Sequence, residues 1–280
     1  TGRYTSSPES RFEFDLAELR RHKDAAGFLA QMDRVCEATL TSDFWSISLP
    51  GDLATSSPRS PSLFAFYASL VLDQAQALFS DQKVEDLLDP WIRGTRAAAE
   101  RHHLFPKAHL KGQGVTETRD TNQIANYALV EWGDNGEICK KQPKDYLPQL
   151  QKRVDGKALV QQYRWHCLPD GWEQMDYHAF LVARRERIAA FIRDGYEKLR
   201  DQAAQAAPVD IDALIALGEG EQIEFKSTLR VNLHTRQKDP KMELAILKTI
   251  AGFLNSRGGT LVIGVSDDGE TVGIEIDDFT

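Results

Sequence analysis

Apolar positions along the chain alternate between helical and extended spacing, and the alternation predicts the elements. Residues 10–40 read as helix, because Phe28, Met32, Val35 and Cys36 recur at i, i+4, i+7 and i+8. The Ser- and Pro-rich stretch 55–62 reads as a loop, followed by a strongly apolar helix from Leu63 to Phe79 with Ser62 as its N-cap. A third long helix is predicted from Tyr177 to Arg200, with Phe180, Leu181, Ile188, Phe191 and Ile192 turned inward. Between the second and third helices the texture changes. Residues 101–150 mix His, Pro, Gly and Asn, and only the apolar run Ile124 to Trp132 suits a strand.

Beyond Arg200 the low-complexity segment DQAAQAAPVD marks a linker and the boundary between domains 1–205 and 206–280. The second part predicts a short strand at Gln222–Phe225. A helix follows over Lys241–Asn255, with Ile246, Ile250, Phe253 and Leu254 on one side. A buried strand at Thr260–Val265 and a turn at Asp267–Glu270 complete it. The expected class is α+β. No repeat of solenoid length is present.

Composition narrows the class without naming a function. The 280 residues are 41% hydrophobic and 27% charged, as expected of a folded soluble protein rather than a disordered one. No apolar run reaches membrane-spanning length and no secretory layout opens the chain, so a cytoplasmic protein is expected. The absence of an initiator Met and the abrupt end lead us to expect a piece of a longer protein. Cys36, Cys139 and Cys167 are too few and too widely spaced for a disulfide framework or a zinc knuckle. The net charge of −8 argues against a general nucleic-acid coat but leaves room for a local basic face.

Two constellations carry chemistry. In the first, His102 and His103 stand side by side ahead of Pro106. Neighbours on an extended chain face opposite ways, so a division of labour is expected, one imidazole binding a cation and the other taking a proton. Phosphodiester hydrolysis needs both. Asn126 lies in the apolar run, where an amide is costly unless hydrogen-bonded, and Asn135 follows in an Asp-Asn-Gly turn. Arg93, Arg96, Arg101, Lys107 and Lys111 flank the pair, and Lys140, Lys141, Lys144, Lys152 and Arg153 follow. Such a band suits phosphate contact.

The strings H-H-L-F-P-K, N-Q-I-A-N-Y-A-L-V, D-N-G-E-I and P-K-D-Y-L, in this order, resemble the HNH (ββα-metal) nuclease domain. In particular they resemble the version at the C-terminal end of GmrSD-like modification-dependent restriction enzymes. The likeness extends over residues 55–200. It implies a ββα-metal centre at about 98–150 inside a helical scaffold. His103 would be the general base and Asn126 its orienting partner, with His102 and Asn135 as ligands of a divalent cation, Mg²⁺ or Mn²⁺. Arg101, Lys107, Lys111, Lys140 and Lys141 would contact DNA. His102 stands where many such centres have Asp, and Asn135 where many have His, so this metal site carries little negative charge. The partner domain usual in these enzymes, an NTPase-like module, is absent from the sequence given, so a missing domain or partner subunit is expected.

In the second constellation, Glu219, Glu221, Glu224 and Lys226 surround a short strand, with Glu224 and Lys226 on one face. The string E-x-E-F-K, then A-x-F-x-N-S-x-G-G-T-L-V-I-G-V-x-D-D-G, is similar to the Schlafen AlbA domain, covering about residues 210–280. That likeness implies part of a mixed α/β domain. It offers Glu219, Glu224 and Asp267, with Asp268 as a rival, for an RNA-cleaving centre, or else a nucleotide- or nucleic-acid-binding role. The two resemblances together predict a DNA-cleaving enzyme of defence against foreign or modified DNA, with the C-terminal domain as the alternative seat of function.

Overall fold

A computed structural model describes residues 3, 7–22, 24–88, 100–130, 141–205 and 209–277. The chain divides into two compact units, Thr1–Ala204 and Gln205–Thr280. The first is a helical scaffold around a two-stranded hairpin.

Helices α1 (Pro8–Leu19) and α2 (Ala25–Thr39) replace the single helix expected over 10–40. The break falls before Asp24, whose carboxylate caps α2 by accepting from the Gly27 N–H at 2.6 Å. The periodic stripe does not enter the core: Phe28 and Met32 are 46% and 40% exposed. Helical periodicity is a local property, and it does not establish that a partner surface exists. A π-helical turn, Phe44–Ser48, runs into the short α3 (Leu49–Asp52).

Helix α4 (Pro61–Leu72) is shorter than the apolar run and ends before Asp73. Its N-cap is Ser60 rather than Ser62, with Pro61 preset for the first turn. Residues 74–83, read as helix from their apolar content, form a loop closed by a Gln76–Lys83 bridge, and Gln74 and Phe79 adopt positive φ. The short α5 (Val84–Leu88) follows.

Strands β1 (Glu100–His103) and β2 (Tyr127–Val130) pair antiparallel, with His102 opposite Ala128 and His103 opposite Tyr127. The connection contains α6 (Lys107–Gly112) and α7 (Thr118–Thr121). The expected strand at 124–132 begins three residues late. Residues Ile124–Asn126 make a 3₁₀ turn, so Asn126 precedes the strand instead of lying in it. Three more helices complete the unit: α8 (Pro143–Gln151), α9 (Gly156–Trp165) and α10 (Tyr177–Gln205).

The hairpin lies between two apolar clusters, and strand alternation assigns its faces. Ala128 and Val130 join a cluster with Leu104, Phe105, Tyr146, Trp172 and Phe180. Leu129 and Ile124 join the other, with Leu63, Phe66, Leu70, Ile188 and Ile192. The inward stripe expected on α10 is present: Phe180 and Ile188 are fully buried, and Leu181 is 2% exposed.

The second unit opens with α11 (Ile211–Leu217), capped by Asp210, whose side chain accepts from the Ala213 N–H at 3.1 Å. Strand β3 (Ile223–Lys226) pairs in parallel with β6 (Thr260–Ile263). The two-residue strands β4 (Val231–Asn232) and β5 (Gln237–Lys238) form a separate ribbon. Between them and β6 runs α12 (Pro240–Leu254). Its predicted inward side is only partly so: Ile246 is buried, whereas Ile250 and Leu254 are 41% and 80% exposed. The core here is small, centred on Phe225, Val262 and Val265.

Candidate active site

The alternation of β1 separates the two histidines as the sequence predicts. His102 shares the face of Ala128 and is buried, its ring set edge-on to Tyr146 of α8 with centroids 6.4 Å apart. Arg101 and His103 share the opposite face around Tyr127. The His103 ring lies 4.6 Å from the Tyr127 ring, and the Arg101 guanidinium carbon is 5.6 Å from it. His103 is half-buried and Arg101 exposed.

Asn126 does not touch His103 in the way the resemblance implied. It is fully buried, and its amide is spent on the backbone. Its Oδ1 accepts from the Phe105 N–H at 2.9 Å, and its Nδ2 donates to the carbonyls of Phe105 at 3.1 Å and Thr121 at 3.0 Å. Both ends of the β1–β2 connection are thereby tied together two residues after His103. Asn126 is a clamp on the loop, and the side-chain partner of the base is another residue. Asn122, at the C-terminus of α7, places Oδ1 3.0 Å from His103 Nε2. Asn122 was missed; the available signal was the repeated Asn at i and i+4 directly ahead of the strand.

The loop bearing Asn122 is held from α10 at three points. Tyr177 donates its hydroxyl to the Asp120 carbonyl at 2.8 Å, Arg185 bonds the Gln123 side chain at 3.0 Å, and Arg184 donates to the Ala125 carbonyl at 2.7 Å. Arg184 is wholly buried and also reaches the His166 carbonyl at 3.1 Å. Burial lowers its pKa to about 10. On the far face, the Tyr146 hydroxyl donates to the Leu104 carbonyl at 2.7 Å, fixing α8 against the end of β1.

Burial pushes the His103 pKa down. The Asn122 contact opposes this, while Lys107, His102 and Arg101 lower it further. The imidazole is thus held toward its neutral, proton-accepting form. Lys107, Lys111, Arg101 and Lys141 are exposed and free to meet phosphate. Lys140 and the second assigned ligand, Asn135, lie outside the described residues, as do Arg93 and Arg96. No set of three or more His, Cys, Asp or Glu side chains among the described residues is placed to hold a metal ion. His102 therefore fits one coordination position, from a donor type suited to transition metals as well as borderline ions.

In the second unit the three carboxylates are engaged separately. Glu219 accepts from the Phe225 N–H at 2.8 Å, closing the free edge of β3. Glu224 pairs with Lys226 at 2.5 Å on the shared face that alternation predicts. Asp267 and Asp268 are exposed in the turn closed by the Ser266–Glu270 contacts. Glu219, Glu224 and Asp267 do not form a metal-holding set.

Residues 219–280 match the family model described as Schlafen, AlbA_2. The match covers under a quarter of the chain and points the C-terminal unit toward nucleic-acid-related function. No curated protein and no solved structure matches the chain. Among the described residues, no helix is long and apolar enough to cross a membrane.

Proposed function

We propose that the chain hydrolyses DNA phosphodiesters at an HNH-type centre on the β1–β2 hairpin, in defence against foreign or modified DNA. The observation that carries this reading is the arrangement at His103. A half-buried imidazole bonded to a fixed amide projects from a strand whose next residue, His102, points the other way, above a loop clamped by fully buried Asn126. His102 would hold a divalent cation, Mg²⁺ or Mn²⁺, with Asn135 as the second protein donor. Bound there, the cation supplies positive charge against the charge developing on the phosphate.

The remaining roles belong to the chain's own groups. His103 takes a proton from the attacking water. Arg101, on the same face of β1, is placed to neutralise a phosphate oxygen near that imidazole. Lys107 and Lys111, one turn apart on α6, extend the contact along the strand backbone. The Asn126 clamp and the α10 anchors keep the loop in place, so little ordering remains to be done when DNA binds.

The second reading, supported by the Schlafen, AlbA_2 match, places RNA cleavage, or nucleic-acid or nucleotide binding, in the C-terminal unit. Parallel cleavage assays on DNA and RNA with His103→Ala and Glu224→Ala separate the two. Loss of DNA cleavage only in His103→Ala is expected. Loss of RNA cleavage only in Glu224→Ala moves the function to the second unit.

A further inference from the structure

We propose that Asn122 is the positioning residue of the His103 base: its amide oxygen fixes the Nε2–H tautomer and leaves Nδ1 as the atom that accepts the proton. The inference rests on the nuclease reading for its catalytic consequence, but the tautomer exists and can be read without turnover.

An amide oxygen only accepts hydrogen bonds. At 3.0 Å from Asn122 Oδ1, His103 Nε2 must therefore supply the hydrogen. A neutral imidazole with its proton on Nε2 carries its lone pair on Nδ1. Asn126 cannot perform this task, because its oxygen and both of its N–H groups are already bonded to Phe105 and Thr121. Asn122 is held for it. Its own N–H closes α7 onto the Thr118 carbonyl at 2.9 Å, and the residues at 120, 123 and 125 are pinned by Tyr177, Arg185 and Arg184 of α10. The Tyr127 ring beside the imidazole limits its rotation. On reaction, the water proton goes to Nδ1. The resulting imidazolium keeps its Nε2–H on Asn122, so the positive charge forms without rearrangement.

The test uses the full chain labelled with ¹⁵N. Long-range proton–nitrogen correlation spectra report the His103 tautomer, and the signals are assigned by their loss in His103→Gln. Wild type should show the Nε2–H form. Asn122→Leu, close in size but without an acceptor, should give a mixture of tautomers. Asn122→Asp, which can only accept, should restore the Nε2–H form. In DNA cleavage, kcat should fall about 10²-fold in Asn122→Leu with KM little changed, and most of the loss should return in Asn122→Asp. An Nδ1–H form in wild type overturns the proposal, as does an unchanged tautomer in a folded Asn122→Leu. If wild type cleaves no DNA, the nuclease reading fails, and the spectra alone still decide the role of Asn122.

Discussion

A buried amide in a short polar loop has few ways to satisfy itself, and Asn126 uses all of them. Asn126→Ala should therefore cost about 3 kcal/mol or more in urea unfolding, since the Phe105 and Thr121 groups would be left buried and unpaired. The variant should also lose cleavage, through the loop and not through the base. His166 offers a second test at this scale. It is fully buried, Nε2 donates to the Gln76 carbonyl at 2.9 Å, and burial lowers its pKa from 6.5 to about 4. The unfolded chain binds this proton more readily, so the contribution is complete above pH 6.5 and is lost as pH falls toward 4. A shift of this size is worth about 3 kcal/mol. Unfolding free energy should fall over that window in wild type and fall less in a His166→Gln variant that still folds. The types and order of His102, His103 and Asn126 were legible in the sequence. The partner of the base was not, because which of two asparagines reaches His103 depends on a 3₁₀ turn that no apolar pattern announces.

Elements were legible where periodicity and burial coincide. Helix α10 runs as its stripe predicts, and Arg184 interrupts that stripe between Leu181 and Ile188. A charge on an apolar face was the available sign that α10 reaches a backbone carbonyl rather than only apolar side chains. Helices α2 and α12 show the converse, with apolar spacing but Phe28, Met32, Leu247 and Leu254 exposed. The long run after Leu63 was overread as helix because composition does not reveal where a chain turns. The junction of α8 with β1 gives a prediction at this scale. Tyr146→Phe removes the 2.7 Å bond to the Leu104 carbonyl and should cost about 1–2 kcal/mol. Denaturant midpoints check this, and no change would show that α8 is held by packing alone.

At the scale of the whole chain, two units with separate cores should unfold separately. The C-terminal core has three fully buried apolar side chains, against sixteen in the cluster beside the hairpin. Calorimetry should show two transitions, the lower one from residues 205–280, and Phe225→Ala should move only that one. A single transition shifted as a whole by Phe225→Ala would show the units to be energetically coupled. The linker position was legible from composition. What the C-terminal unit does was less so, because Glu219 and Glu224 are committed to the edge of β3 and to Lys226.

The most direct measurement is cleavage of plasmid DNA, plain and hydroxymethylated, by the full chain with Mg²⁺, Mn²⁺ or EDTA, beside His103→Ala. Cleavage that requires the metal ion and falls at least about 10²-fold in the folded His103→Ala variant is the predicted result. Metal-dependent cleavage that persists unchanged in His103→Ala would contradict the account and place the chemistry elsewhere in the chain.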